Sequence, residues 1–322
     1  MLLSDAIAGF LMFTRAEGFS EGTVKLYRFN LDILLRKLGD REMNKITETD
    51  LRGFFVYLRE VYHKEKGHPD KPLAGATLRN FWKAIRSLFE WSKEEHLVKE
   101  RPDISIKMPG NNPKIIMPLE EHEVKALLSN AEMSREVDGQ GKRTNYRFKR
   151  HTGARDVALL ILLLDTGIRA GEASRLNIAD VDLAEGQIYI RPFGNSGIKT
   201  KSRVIPVGKA TSRALWKYKT TLEDQEPNDP FFVTMTGRRM NQGAMLMLVR
   251  SLGDKAGVKN CHPHRLRHTF AIQYLRNGGD IFTLKNILGH NSLDMVEHYL
   301  QLAQSDTTSA HRKASPADRW HL

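Results

Sequence analysis

The chain lacks the features of several large protein classes. Its 322 residues include one cysteine, Cys261, which excludes an internal disulfide and any metal site built from several cysteines, and which is typical of a reducing compartment. The most apolar run, at 158–168, is far shorter than the roughly 20 residues of a membrane span and predicts a buried helix. Asp5 interrupts the apolar N-terminus and no basic segment precedes it, so it predicts an amphipathic helix and not a signal peptide. We expect a cytoplasmic, nucleoid-associated protein.

Two catalytic signatures are also absent. The sequence has no GxxxxGK[ST] loop to bind nucleotide phosphates and no acidic cluster suited to two Mg²⁺ ions. We therefore expect no cofactor and no metal, and we find no internal repeat. A chain of this length that is 40% hydrophobic is sufficient for two domains with separate cores.

Positive charge is abundant and unevenly distributed. The formal net charge of +12 favours a polyanionic partner, nucleic acid before an acidic membrane. Residues 1–105 hold 18 Lys and Arg against 16 Asp and Glu, which leaves 32 against 22 for the rest of the chain. Residues 141–155 contain six basic side chains and no acidic one, which fits a phosphate-binding segment or a solvated loop equally well. The second part of the chain therefore carries most of the attraction for a polyanion.

Hydrophobic periodicity predicts a small helical domain at residues 1–104. Apolar spacing near 3.6 indicates four helices: 2–16, 20–38, one that starts after Thr47 or Thr49, and one from about Ala76. Residues 105–117, rich in proline and asparagine, are expected to be an extended linker. Two domains joined in this way can close around a ligand.

The pattern beyond the linker predicts a mixed second domain at 118–304 and a C-terminal tail at 305–322. Two β-branched segments, GQIYIR and SRVIPV, predict strands on either side of the loop 192–201. The predicted helices are 120–132, the apolar helix ending at Thr166, 210–222, 242–255, 265–277, 281–288 and 292–303. The tail has no apolar period, and it is either disordered or anchored to another protomer through Trp320.

The first candidate functional residue follows the apolar helix. Arg169 lies in TGIRAGE, and Glu172 comes three residues later, within reach across one helical turn. An arginine held by a carboxylate can present a rigid pair of donors to two phosphate oxygens. An ordinary ion pair at a helix end is the alternative interpretation of this pattern taken alone.

A second candidate group lies in HPHRLRHT. His264 and Arg267 are three residues apart and share a face of a predicted helix. Arg267 can bind phosphate, and His264 can donate a hydrogen bond or accept a proton. His268 has metal-ligand spacing from His264, but the residues between them are Arg-Leu-Arg and lack the glutamate of HExxH. We interpret His268 as a supporting residue.

These motifs, with two others, resemble those of the tyrosine recombinase (phage integrase) family. The segments TGIRAGE, IKTKSRVIP, HPHRLRHT and LGHNSLDMVEHY occur in the family's order, and the resemblance extends over nearly the whole chain. It implies Glu172 and His268 as supporting residues. The catalytic residues that it implies are Arg169, Lys199, His264, Arg267, His290 and the nucleophile Tyr299.

The lysine and the tyrosine rest on the resemblance. The family places its lysine on a β-hairpin before a strand that ends in proline, here Pro206, and the hairpin offers both Lys199 and Lys201. The Lys-Thr-Lys pattern is similar to other integrases in which the first lysine is catalytic, so Lys199 is preferred. Tyr189 and Tyr274 lack comparable neighbouring motifs and are weaker candidates for the nucleophile.

The resemblance implies a fold and a mechanism. The expected fold is mainly helical with a small β-hairpin or sheet: a four-helix SAM-like core-binding domain and a tyrosine-recombinase catalytic domain. Tyr299 would attack the scissile phosphate to form a 3′-phosphotyrosyl link, and another strand would then displace it. The chain starts directly with the small domain, which suggests a simple recombinase, chromosome-resolving or from a mobile element, without an arm-binding domain.

The implied partner is double-stranded DNA, bound by a homo-tetramer on two synapsed sites. A second recombinase or an accessory DNA-bending protein is a further candidate partner, and no membrane contact is expected. The residues predicted to bind DNA are Arg79, Lys83, Arg86, Lys142, Arg143, Arg147, Lys149, Arg150, Lys201 and Arg203, the last with a structural role as its alternative.

Three other functions remain alternatives from the sequence. A type IB topoisomerase-like enzyme would nick and reseal one strand with the same residues. A catalytically silent DNA-binding protein would keep the basic surface without strand cleavage. A metal-dependent nuclease would use His262, His264 and His268 as ligands, and EDTA would abolish its activity.

Overall fold

The structure is a computed structural model. It describes residues 1–62, 72–110, 117–134, 147–192 and 202–289, together with Tyr299 and Ser315. The chain divides into two compact units, one containing the described residues up to 110 and the other those from 117 onward.

The first unit consists of helices, two of which start at a polar side-chain cap. Its described helices are α1 (Leu3–Ala16), α2 (Glu21–Leu38), α3 (Glu48–Tyr57) and α4 (Gly75–Glu94), with a short 3₁₀ turn at Met43–Lys45. The Ser20 hydroxyl accepts the Thr23 amide at the start of α2, and Thr47 forms a capping box with Asp50 at the start of α3. The predicted helical character of this unit is confirmed. A π-helical turn at Leu58–Tyr62, which was not predicted, extends α3.

Large aromatic side chains fill the core of the first unit. Phe10, Phe54, Phe81 and Phe89 are all fully buried there. Burying one such side chain contributes about 1.5–3 kcal/mol. The unit therefore has a hydrophobic core of its own.

The first part of the predicted linker belongs to this unit. Trp82 Nε1 on α4 donates a hydrogen bond to the Ile106 carbonyl at 2.8 Å, and Arg79 Nε donates to the Pro109 carbonyl at 2.7 Å. Ile106 also packs against the core. Side chains of α4 therefore hold Ile106 and Pro109 of the predicted linker against the first unit, and the linker itself stays a prediction. Residues 111–116 lie outside the described part of the chain.

The second unit combines helices with a small antiparallel sheet. Its described helices are α5 (Glu121–Glu132), α6 (Gly153–Thr166), α7 (Ala170–Ala173), α8 (Lys209–Lys219), α9 (Gln242–Ala256), α10 (Pro263–Arg276) and α11 (Ile281–Leu288). The strands β1 (Val181–Asp182), β2 (Gln187–Ile190) and β3 (Arg203–Pro206) pair in the order β1-β2-β3, and Ile188 faces Ile205. A 3₁₀ turn at Ile178–Asp180 precedes β1. The predicted mainly helical fold with a small sheet is confirmed.

The apolar helix α6 lies at the centre of the second unit. It packs against α5, α8 and α10, and its Leu159, Leu162 and Leu163 side chains are fully buried. The prediction of a buried helix here is confirmed. No helix in the described part of the chain, α6 included, is both long enough and apolar enough to cross a bilayer.

Some boundaries differ from the sequence predictions. Helix α8 ends at Lys219, three residues before the predicted end. Helix α10 starts at Pro263, because His262 Nδ1 accepts the Arg265 amide and caps the helix. The helix predicted at 292–303 lies outside the described residues except for Tyr299.

Cys261 is packed tightly in the second core. Its side chain is buried, and a Cβ added at Gly253 would lie only 2.2 Å from the Cys261 Cβ. Burial raises the pKa of the Cys261 thiol to about 11. The thiol therefore behaves as a small apolar group.

Candidate active site

A glycine turn brings the chain from α6 to Arg169. Gly167 ends α6 in the left-handed conformation, with φ of 60°. A Cβ at this position would lie 2.4 Å from Phe270 Cδ1 and 2.8 Å from Leu288 Cδ2. Only glycine combines this conformation with this packing. The turn places Arg169 as the cap residue of α7.

Glu172 holds Arg169 from within the protein. The Arg169 amide donates to Glu172 Oε2 at 2.8 Å, and Arg169 Nη1 donates to Oε1 at 3.2 Å. The Glu172 side chain is 1% exposed, whereas that of Arg169 is 34% exposed. The guanidinium thus reaches the surface from a buried anchor.

Arg203, at the start of β3, binds the same carboxylate from another side. Its Nη1 donates to Glu172 Oε1 at 3.0 Å and its Nη2 to Oε2 at 2.9 Å. The Arg203 side chain is only 10% exposed, and its Nε donates to the Ile287 carbonyl. Of the two roles predicted for Arg203, the structural one fits this geometry, because its guanidinium faces Glu172 and not solvent.

The pair of arginines keeps Glu172 ionised. Burial by itself would raise the pKa of the carboxyl, but hydrogen bonds and charge from Arg203, with help from Arg169, more than offset that effect and leave the pKa below its usual range. Glu172 is therefore a carboxylate at neutral pH.

Helix α10 carries the second arginine of the site. Arg267 is 4% exposed, and its guanidinium donates to the Gly167 and Leu288 carbonyls, the latter at 2.8 Å. Burial and the nearby positive charge of Arg169 lower the pKa of Arg267 to about 10, with Glu172 opposing the shift. Arg267 remains charged at neutral pH.

A cleft of about 290 Å³ opens between these elements. Arg169, Arg267 and His264 line it together, and His264 is exposed. Partial burial and the positive charges of Arg267 and Arg169 lower the pKa of His264, so its imidazole is neutral at pH 7. A neutral imidazole beside two cations can accept a proton while the cations bind an anion.

Two further polar residues of the cleft, Arg175 and Gln242, were not predicted from the sequence. His262, considered before only as a metal ligand of the nuclease alternative, also lines the cleft. Arg175 lies three residues after Glu172, a spacing that places it one helical turn away, and this signal was available in the sequence. No comparable pattern in the sequence marks Gln242, which comes from α9.

Tyr299 lies inside an apolar cluster. Its side chain is 5% exposed and packs with Phe270, Leu284 and Leu288. Its ring centroid lies 5.3 Å from that of His268. Burial raises the pKa of Tyr299, whereas the charges of Arg267 and Arg169 oppose the shift. The phenol is therefore protonated at neutral pH and near the arginine pair.

Several predicted residues lie outside the described part of the chain. They are Lys142, Arg143, Lys199, Lys201 and His290. Their roles remain predictions.

The described residues contain no group of three or more His, Cys, Asp or Glu side chains placed to hold a metal ion. The nuclease alternative needed His262, His264 and His268 to share a metal. His262 instead caps α10 through Nδ1, and His268 contacts Tyr299.

The predicted DNA-binding residues of α4 differ in exposure. Lys83 is exposed, whereas Arg79 and Arg86 are half-buried. The Arg86 guanidinium lies over the Trp82 ring at 5.0 Å. Lys83 is thus the most accessible of the three to a phosphate backbone.

The basic residues before α6 also have protein partners. Arg147 Nε donates to the Ser134 carbonyl, and Arg150 forms an ion pair with buried Asp156 at 2.9 Å. Lys149 is exposed. Contacts between these residues and DNA remain predictions.

Family models match both units. A model described as "Phage integrase family" matches residues 118–306, and one described as "Phage integrase, N-terminal SAM-like domain" matches residues 7–98. The first model covers more than half of the chain, and the chain belongs to the phage integrase family.

Curated relatives match along nearly the full length. The chain is 27% identical to "Tyrosine recombinase XerD" of Oceanobacillus iheyensis, with 98% of this chain and 99% of the relative covered. It is also 27% identical to "Tyrosine recombinase XerC" of Bacillus subtilis, with 89% and 88% covered.

Solved structures share the fold at low identity. The Tn1549 transposon integrase in complex with transposon right end DNA superposes with a TM-score of 0.73 at 19% identity, over 98% of this chain and 99% of that one. A lambda integrase dimer bound to a COC′ core site gives 0.68 at 16% identity, over 92% and 97%. These likenesses show a common fold.

Proposed function

We propose that the protein is a tyrosine-type site-specific DNA recombinase. The observation that carries the proposal is the cleft in which Arg169, Arg267 and His264 meet, with the charges of both arginines acting on Tyr299. Relatives named tyrosine recombinases match this chain over nearly its full length. Two fixed guanidinium groups, a neutral imidazole and a phenol form a set suited to phosphodiester chemistry.

The first chemical step is attack by Tyr299. Its phenolic oxygen forms a bond to the scissile phosphorus, and the bond from phosphorus to the 5′ oxygen breaks. The product is a 3′-phosphotyrosyl link and a free 5′-hydroxyl, so the bond energy is kept in the covalent intermediate and no ATP is required. His264 takes the phenolic proton, and Lys199 protonates the leaving oxygen.

The arginines stabilise the crowded negative charge of the transition state. Arg267 is held by the Gly167 and Leu288 carbonyls and Arg169 by Glu172, so neither group must reorganise during the reaction. His290 is proposed as a further donor. Removing one such donor typically costs on the order of 100-fold or more in rate.

The second step exchanges strands. A 5′-hydroxyl from another duplex attacks the phosphotyrosyl link, displaces Tyr299 and restores a phosphodiester. We propose a homo-tetramer on two synapsed sites in the nucleoid, with a second recombinase or an accessory DNA-bending protein as further candidate partners. Basic side chains on both units would bind the DNA backbone, with affinity that falls steeply as salt rises.

Covalent trapping tests the chemistry. A nicked suicide duplex made from the DNA that flanks the gene is incubated with wild type, Tyr299→Phe and the control Tyr274→Phe, with EDTA present. We expect a denaturation-resistant adduct for wild type and the control but none for Tyr299→Phe. An adduct that persists in Tyr299→Phe would contradict the nucleophile. Salt-sensitive DNA binding without any adduct would favour a silent DNA-binding protein.

Strand exchange separates recombination from topoisomerase chemistry. Two duplexes that carry the cleaved site and different end labels are incubated together with wild type. Recombinant duplexes that carry both labels are expected. Cleavage and resealing that never produce them, together with relaxation of a supercoiled plasmid, would instead indicate the topoisomerase-like alternative.

A further inference from the structure

We propose that Arg203 is a positioning residue of the active site, which acts on the phosphate through Glu172 and Arg169. This inference rests on the proposed function. Arg203 lies on β3, Glu172 on α7, and Arg169 at the cap of α7. The order of contacts is therefore from the sheet, through a buried carboxylate, to a guanidinium at the surface of the cleft.

Arg203 donates a hydrogen bond to each oxygen of the Glu172 carboxylate, so Arg169 does not have to bind both oxygens. It binds both Glu172 oxygens, at 3.0 and 2.9 Å, whereas only Nη1 of the Arg169 side chain contacts Glu172, at 3.2 Å. Within the described residues, Nε and Nη2 of Arg169 donate to no protein acceptor. Those two nitrogens carry three N–H groups, and they remain available for phosphate oxygens.

Arg203 also binds the C-terminal end of α11, where Arg169 and Arg267 donate their hydrogen bonds. Its Nε donates to the Ile287 carbonyl at 2.8 Å, and the next carbonyl, that of Leu288, accepts from Arg169 and Arg267. Gly289 makes room for this contact, since a Cβ there would lie 2.9 Å from Arg203 Nη1. One buried guanidinium thus ties β3, α7 and the end of α11 together.

Loss of Arg203 has a specific consequence. Of the two arginines that form ion pairs with Glu172, only Arg169 would remain, and its guanidinium would turn inward to bind both carboxylate oxygens. A displacement of about 1 Å in a catalytic group can cost about 100-fold in rate. We therefore expect the Arg203 variants to stabilise the negative charge of the phosphate less well. Protonation of the leaving group should not be affected.

The test compares Arg203→Met with Arg203→Lys and the control Arg213→Met. Arg213 is exposed on α8. The cleavage position is first mapped with wild type on the suicide duplex, and single-turnover rates of adduct formation are then measured. We expect a loss of about 10- to 100-fold for Met, a smaller loss for Lys, and no loss for the control. Arg203→Lys keeps a buried charge, so it provides the same test if the Met variant does not fold.

Modified substrates locate the defect. A methylphosphonate at the scissile position removes the charge of one non-bridging oxygen, so cleavage depends less on Arg169. If Arg203 acts through Arg169, the loss in the Arg203 variants shrinks by about 10-fold or more on this substrate. A bridging 5′-sulfur, which leaves without a proton, should leave the loss unchanged.

Two results would overturn the inference. One is a loss of equal size on the methylphosphonate, as expected if Arg203 only stabilises the fold; the other is rescue by the 5′-sulfur, which would place its effect at the leaving group. Equal rates for wild type and the Arg203 variants would contradict this inference alone. A wild type without any adduct on flanking DNA would instead contradict the proposed function on which it rests.

Discussion

Arg169 and Arg267 donate hydrogen bonds to the same oxygen atom, the carbonyl of Leu288, at 3.4 and 2.8 Å. Two like charges are thus held together at the C-terminal end of α11, where the helix dipole favours cations. Their repulsion contributes to the lowered pKa of Arg267. An anion in the cleft would relieve this repulsion, which is a physical reason for the site to prefer a phosphate.

The fork geometry of Arg267 should matter more than its charge. Arg267→Lys keeps a cation but loses the rigid planar guanidinium, whose five N–H groups reach the Gly167 and Leu288 carbonyls and leave donors for a phosphate. We expect single-turnover cleavage of the suicide duplex to fall by about 100-fold or more. The control is Arg276→Lys, an exposed position on the same helix. Equal rates for both variants would contradict a direct role for Arg267.

The pH dependence of cleavage should reveal His264. Its pKa lies below the ordinary 6.5, so the imidazole is neutral at pH 7 and gains a proton only as the pH falls below 6.5. If neutral His264 accepts the phenolic proton, the cleavage rate falls on that acid side. We expect His264→Gln to cleave more slowly at pH 7 and to lose this fall in rate at low pH, the acid limb of the profile. The control His122→Gln, at an exposed position on α5, should keep the acid limb. An unchanged acid limb in His264→Gln would exclude this role.

Glu172 should stabilise the fold in a pH-dependent way. Glu172→Gln leaves Arg203 buried without its counter-charge, and we expect the free energy of unfolding at pH 7 to fall by about 3–5 kcal/mol. The folded-state pKa of Glu172 is lowered, so the carboxylate's contribution is present above its unfolded pKa of 4.5 and is lost as pH falls through the folded value.

The free energy of unfolding is measured by urea denaturation at a series of pH values. The values for wild type and Glu172→Gln should converge below about pH 4.5. Glu121→Gln is the matched control, because that side chain is 82% exposed in its pair with Lys125. It should leave the free energy of unfolding nearly unchanged, because an exposed ion pair is screened by solvent. A wild-type advantage that does not change with pH would show that the charge of Glu172 is not its source.

Gly167 should resist substitution for two separable reasons. Gly167→Ala combines a left-handed backbone with a Cβ placed 2.4 Å from Phe270 Cδ1, and we expect a loss of about 2–4 kcal/mol. Gly257→Ala has a similar φ, 71°, but nothing lies within 4 Å of its added Cβ, so about 1–2 kcal/mol is expected. Thermal unfolding of both variants measures the difference. Equal losses would mean that the Phe270 contact relaxes without cost.

Local signals in the sequence were sufficient for most helices. The prediction of a helix at 281–288 agrees with the bounds of α11, since Asp280 caps its start and Gly289 ends it. The three-residue spacing of His264 and Arg267 likewise placed both in one cleft. These features depend on neighbours within one helical turn, which a sequence displays directly.

The arrangement around Glu172 could not be predicted in the same way. Its partner Arg203 is 31 residues away in the sequence, and no helical or strand spacing links two residues at that separation. The acceptors of Arg267 are backbone carbonyls, which a sequence of side chains does not reveal. The burial of Tyr299 against Phe270 and Leu284 depends in turn on how α10 and α11 pack.

The buried thiol of Cys261 makes the protein convenient for fluorescence work. With a pKa of about 11, only about one thiol in ten thousand is a thiolate at pH 7, and the thiolate is the form that reacts with maleimide dyes. A cysteine introduced at an exposed site such as Arg213 would react far faster than the native one. Dye pairs for observing synapsis of single DNA molecules can therefore be attached without first removing Cys261.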